Sequence, residues 1–230
     1  MRGPGARTPL LRVDPLMLLL VATILLLGLV MVTSASVTTA ARESGDPFAY
    51  LERQLLVVAA GLTLAAVVFM IPIAVIERCA PALLLLAALL LLLVLVPGLG
   101  HVVKGGRRWL RLPGFNFQVS EVARVLALVY VAHYCVRFEK QLRGSVGGLL
   151  RPLGLLLCLG ALLLAEPDLG AATVLFVAGF GLVFLAGAQL RWVLAAVLGA
   201  SGLMAVLVMY SGYRMRRVTG FLDPWADPYN

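Results

Sequence analysis

Two groups of basic side chains are the first residues in this sequence whose types and spacing suggest chemistry. Guanidinium and ammonium groups bind phosphates and other anions, particularly where several of them stand close together. The two groups consist of Lys104, Arg107, Arg108 and Arg111, and of Arg214, Arg216 and Arg217. They indicate a site for an anionic ligand, and the competing explanation is that they are solvated loops or anchors for lipid headgroups.

Carboxylates form a second class of candidate groups. In Glu166-Pro167-Asp168 two carboxylates lie between apolar runs, where they could receive a cation, an arginine or a sugar hydroxyl. Asp168 also suits the N-cap of the following helix. Asp223 and Asp227 each precede a proline, which disfavours the helical region and predicts an extended or turning loop. A carboxylate beside phosphate-binding arginines is a candidate general base, and a solvated turn is the alternative.

Glu121 and Arg124 are spaced i, i+3 at the start of a predicted helix, so they share one face and can form an ion pair. Pairing lowers the cost of placing both charges at the membrane boundary, and ionisable groups near membrane depth are functional candidates. A purely structural ion pair explains the same spacing. Ser120 or an adjacent residue is expected to cap this helix.

The elements that position these residues follow from the composition. The 230 residues are 62% hydrophobic and 13% charged, with a mean hydropathy of +1.01 and a formal net charge of +8. Soluble domains contain roughly 25% charged residues, so this composition excludes a soluble globular enzyme. Charge-free runs such as 16–41, 82–100 and 193–213 are long enough for helices that span a bilayer.

The apolar runs, and the prolines at their edges, predict seven helices. The fold class is therefore all-α, a polytopic integral membrane helical bundle with about seven transmembrane helices in one domain. Pro81 and Pro152 are expected at helix starts. Small residues in the sixth helix, Gly179 among them, permit close approach of a neighbouring helix. The predicted helices are 16–32, 54–71, 81–96, 119–136, 149–165, 170–186 and 192–210.

The expected order along the chain is a cytoplasmic tail at 1–15, the bundle at 16–213 and the start of a large periplasmic loop at 214–230. Three arginines before the first helix place the N-terminus inside by the positive-inside rule. Basic residues then divide equally between the two sides. Topology does not require the two basic groups on the outer side, which favours a role for them in binding an anion.

Other kinds of site find no support in the sequence. The three cysteines have no paired spacing, and the two histidines have no ligand spacing to each other or to the cysteines. A disulfide framework and a metal site are therefore not predicted. The sequence also lacks a phosphate-binding P-loop motif and a recognisable Ser-His-Asp order.

Three segments taken together resemble the SEDS family, the shape, elongation, division and sporulation proteins. They are residues 105–121, the Glu-Pro-Asp-Leu-Gly of 166–170, and residues 216–228 with their Asp-Pro-Trp-Ala-Asp-Pro ending. The last segment is closer to the cell-division branch of the family than to the elongation branch. The resemblance implies a membrane bundle of about ten spans, of which this chain holds the N-terminal portion.

The resemblance further implies a glycosyltransferase that polymerises lipid II into peptidoglycan glycan strands during cell division. By this resemblance Asp227 is the catalytic general base, which takes the proton of the acceptor hydroxyl as undecaprenyl pyrophosphate leaves the donor. Asp223 remains the rival for this role. The residues implied to bind substrate or line its cavity are Lys104, Arg107, Arg108, Arg111, Glu121, Arg124, Asp168, Arg214, Arg216 and Arg217.

The sequence departs from the family pattern in two respects. The family usually has Gln-Pro-Ser-Glu where this chain has Gln-Val-Ser-Glu at 118–121, and often Lys at the position of Arg124, and both changes keep the charge pattern. The chain also ends inside the large outer loop, before the last three helices of the family. A fragment or a truncated product is therefore expected, and the activity of this chain alone stays open.

The resemblance implies a class B penicillin-binding protein and other cell-division proteins as partners, together with lipid II and the membrane, and no nucleic acid. A divalent cation stays open, and no other cofactor is indicated. The expected location is the bacterial inner membrane at the division septum, with several passes. The alternatives are a flippase for the same lipid-linked precursor, which needs no base at Asp227, and a noncatalytic scaffold of the division machinery.

Overall fold

Long apolar helices account for most of the chain. The structure is a computed structural model that describes residues 14–97, 99–103, 106–112, 115–210, 212 and 215. Six of its helices are long and apolar enough to cross a membrane, and a seventh, of 17 residues, is shorter. The helices are α1 (Pro15–Ser44), α2 (Ala49–Met70), α3 (Ile73–Leu95), α4 (Val119–Arg137), α5 (Glu139–Gly144), α6 (Val146–Ala165), α7 (Leu169–Leu185) and α8 (Leu190–Met209). The predicted all-α membrane fold is confirmed and each of the seven predicted helices is present, although α1 extends to Ser44 and α3 begins at Ile73. Helix α5 is an additional short helix.

The chain divides into two compact units, Met1–Pro72 and Ile73–Asn230. In the first unit, the Asp14 carboxylate accepts a hydrogen bond from the Leu16 N–H at 2.9 Å and caps the start of α1. Gly45, with φ +74°, is the C-cap of this helix. No residue of α2 is buried. A helix that is apolar on all its faces and exposed along its length suits a lipid environment.

Two prolines that were expected at helix starts lie inside helices. Pro81 is in the interior of α3 and Pro152 is in the interior of α6, so the prediction of their positions is wrong. Helix α6 begins earlier because the Ser145 hydroxyl caps it, accepting a hydrogen bond from the Gly148 N–H at 3.1 Å. Transmembrane helices tolerate an internal proline because neighbouring groups satisfy the backbone carbonyl that it leaves free.

A small antiparallel sheet separates α3 from α4, and the sequence did not predict it. Its strands are β1 (Gly100–Val103), β2 (Gly106–Leu112) and β3 (Phe115–Gln118), in the order β1-β2-β3. Trp109 of β2 lies opposite Gln118 of β3, and β3 continues directly into α4. The sheet therefore places a basic strand beside the first turn of a transmembrane helix.

The core of the second unit lies between α3, α4, α6 and α7. Glycines allow the closest approach, because a Cβ at Gly160 would overlap the Phe176 ring and one at Gly179 would lie 2.6 Å from Leu156 Cδ2. Close packing at Gly179 is thus confirmed. Helix α8 buries only Val193 among its described residues, and an apolar groove of about 810 Å³ runs between α7 and α8.

Candidate functional site

Asp168 stands at the centre of a polar cluster at one end of the second unit. It precedes α7, and its Oδ1 accepts a hydrogen bond from the Ala171 N–H at 3.2 Å. The predicted N-cap role is confirmed. Its side chain is also buried, which an N-cap does not require. The carboxylate has further partners that account for this burial.

The second oxygen of Asp168 accepts hydrogen bonds from the segment that joins β3 to α4. Ser120 Oγ donates to Asp168 Oδ2 at 2.8 Å, and Gln118 Nε2 donates to the same oxygen at 3.2 Å. Gln118 Nε2 also lies 3.0 Å from Ser120 Oγ. These bonds fix the start of α4 against the turn between α6 and α7.

Capping of α4 by Ser120 does not occur. The N-cap position of α4 belongs to Gln118, and its side chain makes no capping hydrogen bond. Ser120 is the second residue of α4, and its hydroxyl donates to the Asp168 carboxylate instead of capping the helix. A charged acceptor forms a stronger hydrogen bond than a backbone group does, which accounts for the difference from the prediction.

Arg108 brings the basic strand β2 into the same cluster. Its Nη1 lies 3.4 Å from Asp168 Oδ1, and the two side chains are only 15% and 6% exposed. Arg108 Nε and the neighbouring Trp109 Nε1 are buried without a hydrogen-bond partner among the described residues. Since a buried pair is less screened than a surface pair, it holds β2 firmly to the α6–α7 turn.

Glu166 is the least solvated ionisable group in this cluster. The residue is fully buried, and neither carboxylate oxygen has a hydrogen-bond partner in the described part of the chain. Burial, as the largest cause, and the nearby Asp168 charge together raise the pKa of Glu166 to about 8, and Arg108 opposes this shift. The side chain is therefore mainly protonated at neutral pH.

The backbone of β2 packs directly on Glu166. A Cβ built at Gly106 would lie 3.3 Å from the Glu166 carbonyl oxygen, which is tighter than an ordinary van der Waals contact. Glycine at this position lets the strand approach the turn closely. The cluster thus combines a strand, a helix start and an interhelical turn.

The predicted ion pair between Glu121 and Arg124 is confirmed. Arg124 Nη2 contacts Glu121 Oε2 in direct hydrogen-bond geometry, and the arginine side chain is 18% exposed against 53% for the glutamate. Both residues lie in the first two turns of α4, immediately after Ser120. They stand at the same end of the second unit as the Asp168 cluster.

Several candidate residues cannot be placed with this cluster. Arg107 and Arg111 belong to β2 by their backbone, and their side chains lie outside the described part of the structure. Six further candidates lie outside the described residues, namely Lys104, Arg214, Arg216, Arg217, Asp223 and Asp227. Within the described ranges, three or more His, Cys, Asp or Glu side chains do not converge in a way that could hold a metal ion.

The sequence reasoning missed the structural parts played by Gln118, Ser120 and Glu166. A signal was present, because each is a polar residue at the edge of an apolar run. The pairing partner could not be inferred, since Ser120 and Asp168 are 48 residues apart in the chain. This arrangement holds the basic strand β2 against two buried carboxylates, Glu166 and Asp168, at the ends of the membrane helices.

Comparison with known proteins gives a consistent result. The family model described as cell cycle protein FtsW/RodA/SpoVE matches residues 14–230. A protein of Halorhodospira halophila named "Probable peptidoglycan glycosyltransferase FtsW" is 46% identical over 218 residues, covering 94% of this chain and 55% of the relative. One of Thioalkalivibrio sulfidiphilus with the same name is 48% identical over 220 residues, covering 95% and 55%. The chain spans about half the length of these curated relatives.

Two solved structures have the same fold at 31% sequence identity. One, described as "Structural coordination of polymerization and crosslinking by a peptidoglycan synthase complex", matches with a TM-score of 0.75 over 95% of this chain and 62% of that chain. The other is the rod shape determining protein RodA of Thermus thermophilus, with a TM-score of 0.60 over 80% of this chain and 60% of that chain.

Proposed function

Because this chain belongs to the FtsW/RodA/SpoVE family of cell cycle proteins, we propose that the whole protein polymerises lipid II into peptidoglycan glycan strands during cell division. The observation that carries the proposal is the 46–48% identity, over nearly the whole chain, to relatives named as probable peptidoglycan glycosyltransferases. The polar cluster at the ends of α4, α6 and α7 supports it. This cluster anchors basic strand β2 at the end of the bundle, where a lipid-linked anion can approach.

In the proposed reaction Asp227 is the general base. Its carboxylate removes the proton from the acceptor sugar hydroxyl while that oxygen forms a bond to the anomeric carbon of the donor. The bond from this carbon to the pyrophosphate oxygen breaks, so undecaprenyl pyrophosphate leaves with inversion. Asp223 is the rival carboxylate, and the choice of Asp227 rests on the family motif.

Positive charge near the leaving group is the second requirement of this reaction. Charge develops on the pyrophosphate as the bond breaks, and fixed cations that face it lower the barrier. We assign this role to Lys104, Arg107, Arg111, Arg124, Arg214, Arg216 and Arg217. Arg108 and Asp168 serve as positioning residues because their contact holds β2 to the α6–α7 turn. Glu121 orients Arg124 through their ion pair.

We further propose that the protein works with a class B penicillin-binding protein and other division proteins. The likeness to a chain of a peptidoglycan synthase complex supports a synthase partner. The proposed location is the bacterial inner membrane at the septum, with the N-terminus in the cytoplasm. This orientation puts the Asp168 cluster on the periplasmic side, where peptidoglycan is built.

The experiment that tests this function is polymerisation of purified lipid II in the presence of the class B partner. It compares this chain, a version extended to the full length of the relatives, and the extended version with Asp227→Ala or Asp223→Ala. The proposal expects glycan strands from the extended protein and from Asp223→Ala, and none from a folded Asp227→Ala. Full activity of Asp227→Ala would overturn the assignment of the base.

The same experiment separates the alternative functions. Movement of lipid II across vesicles by a protein that makes no polymer, and that is unaffected by Asp227→Ala, supports a flippase. Partner binding without either activity supports a noncatalytic scaffold. Either result overturns the polymerase proposal.

A further inference from the structure

A second polar site lies at the opposite end of α6 and α7 from Asp168. Here the α5–α6 junction meets the α7–α8 turn. Arg143 Nε donates to the Ala186 carbonyl at 3.2 Å, and Gln189 Nε2 lies 3.4 Å from the Arg143 carbonyl. Gly187 has φ +88°, and a Cβ there would lie 2.6 Å from Arg143 Nε, so this contact requires a glycine. The two loops are therefore held together in a defined geometry.

A cavity of about 100 Å³ lies between these loops. Its polar lining includes Arg143, Ser145, Gln189 and Arg191, and Trp192 closes one side. The described residues that line it include no Asp or Glu. The volume equals that of roughly three water molecules in the liquid, which is enough for a phosphate group.

The two arginines of this cavity differ in their partners. Arg143 Nη2 forms an ion pair with Glu139 at 2.8 Å, so its charge is largely compensated. Arg191 donates from Nε to Gln189 Oε1 at 2.9 Å, and its guanidinium lies 5.5 Å from the centre of the Trp192 ring. Across the described ranges no carboxylate comes within ion-pair distance of Arg191. Its remaining N–H donors carry an uncompensated positive charge.

The surroundings of the cavity increase this positive potential. Helices α6 and α8 both begin here, and the first-turn N–H groups of a helix favour an anion. The same end of the unit carries Arg137 and Lys140. Because α6 and α8 are long enough to cross a membrane, their ends lie at the level of the lipid headgroups, where tryptophan is also enriched.

We propose that this cavity binds the phosphate of an anionic phospholipid headgroup, with Arg191 as the principal cation and Arg143 and Gln189 as the groups that shape the site. A bilayer supplies such phosphates at high local concentration at this depth, whereas a soluble phosphate must be drawn from dilute solution. The proposal is independent of the polymerase function, because the site lies at the other end of the helices from the Asp168 cluster.

The test measures lipid bound to the purified, delipidated chain in neutral detergent by native mass spectrometry. Phosphatidylglycerol is compared with phosphatidylcholine for the parent, Arg191→Ala, Arg191→Lys and Arg151→Ala. Arg151 is the matched control, since it is an exposed arginine on the same end of α6 that does not line the cavity. We expect the parent to prefer phosphatidylglycerol, and Arg191→Ala to weaken this binding about tenfold, as for one charge-assisted hydrogen bond.

Arg191→Lys keeps the charge but loses the planar donor array, so it is expected to bind with intermediate affinity. Arg151→Ala is expected to change binding less than about twofold, because its charge lies outside the cavity. Equal losses in Arg191→Ala and Arg151→Ala would mean diffuse attraction by the basic surface and would overturn the site. Equal binding of both lipids would overturn it as well. Displacement of phosphatidylglycerol by millimolar inorganic phosphate would assign the cavity to a soluble phosphate, against the proposal.

Discussion

At the scale of single residues, Glu166 is the most deeply buried charged side chain in the described part of the chain. Its carboxylate is fully buried beside Asp168, and only Arg108 offers a compensating charge among the groups that shift its pKa. Ionisation of such a group is costly because water no longer solvates the charge. The stability of this end of the bundle is therefore expected to depend on pH.

The first prediction concerns stability as a function of pH. An unfolded glutamate has a pKa of about 4.3, whereas the folded value is about 8. Between these values the folded protein holds an extra proton, so the free energy of unfolding falls as the pH rises through this window. Glu166→Gln is expected to flatten this dependence and, at pH 9, to be more stable than the parent by about 1–3 kcal/mol.

The measurement is thermal unfolding in detergent at pH 5, 7 and 9. Glu121→Gln is the control for removing a carboxylate that is half exposed instead of buried. An identical pH profile for Glu166→Gln and the parent would contradict the protonated state of Glu166.

The second prediction concerns the buried contact between Arg108 and Asp168. Asp168→Asn keeps an acceptor for Ser120 but removes the charge that faces the guanidinium. Leaving a buried charge unpaired is expected to destabilise the protein by about 3 kcal/mol. Arg108→Met combined with Asp168→Asn should recover much of this loss, because the double variant buries no unpaired charge.

A double-mutant cycle measured by equilibrium unfolding checks this prediction. Glu121→Gln again serves for comparison, since breaking its exposed pair should cost less than about 1 kcal/mol. Additive effects of the Arg108 and Asp168 changes would show that the contact is not coupled energetically.

At the scale of elements, the helices could be predicted from the sequence and the sheet could not. A charge-free run of about twenty residues has one stable form in a bilayer, so hydropathy located the six long helices and the shorter α7. Residues 100–118 mix glycine, arginine and aromatic residues without a regular period, so only the pairing of Trp109 with Gln118 and its neighbours reveals strands. Helix starts were misplaced because Ser145, not Pro152, determines where α6 begins.

The polar cluster shows a similar division between what could and could not be predicted. Local features of the sequence indicated the cap at Asp168 and the ion pair of Glu121 with Arg124. The contacts of Asp168 with Ser120 and Arg108 join distant segments, and a single sequence contains no local signal for them. Candidate chemical roles could therefore be assigned from the sequence, but the distant partners of these residues could not.

The third prediction concerns the packing of α6 on α7. Gly160→Val places a side chain in the space occupied by the Phe176 ring, so it is expected to destabilise the protein by about 1–3 kcal/mol. Gly154→Val in the same helix is the matched control, because a Cβ at that position would have no neighbour within 4 Å among the described residues. Thermal unfolding of both variants provides the comparison, and Phe176→Ala in the Gly160→Val background should relieve part of the loss. Equal unfolding temperatures for the two valine variants would contradict this packing.

At the scale of the whole molecule, the exposed apolar side chains define what surrounds the chain. Large exposed apolar residues run along α1, α2 and α8, for example Leu26, Leu64 and Leu198. A soluble protein rarely exposes continuous apolar surface of this extent. Lipid is the solvent for these faces, as expected for a multi-pass membrane protein.

The fourth prediction uses the cysteines as reporters of this environment. Cys158 lies in the middle of α6 and is exposed to lipid, Cys135 is buried, and Cys79 lies near the start of α3 beside Glu77 and Arg78. A membrane-impermeant maleimide should label Cys79, and leave Cys158 and Cys135 unlabelled until the protein is denatured. The physical reason is access, because an impermeant reagent does not reach a thiol inside the hydrocarbon region or the packed bundle.

The side of the membrane from which Cys79 is labelled tests the proposed orientation. With a cytoplasmic N-terminus, the reagent should label Cys79 in inverted vesicles and not in intact spheroplasts. Cys79→Ser removes the signal and serves as the control. Labelling from the periplasmic side would reverse the orientation.

The dependence of the polar cluster on Asp168 also constrains the order of assembly during synthesis. Ser120 is synthesised 48 residues before the carboxylate that binds its hydroxyl, and Arg108 is synthesised earlier still. At roughly 5–20 residues per second, translation separates these events by about 2–10 s. During this interval β2 lacks the Asp168 counter-charge, so the Arg108–Asp168 contact forms only after the turn between α6 and α7 has been made. The polar cluster is therefore completed only when the start of α7 has been synthesised.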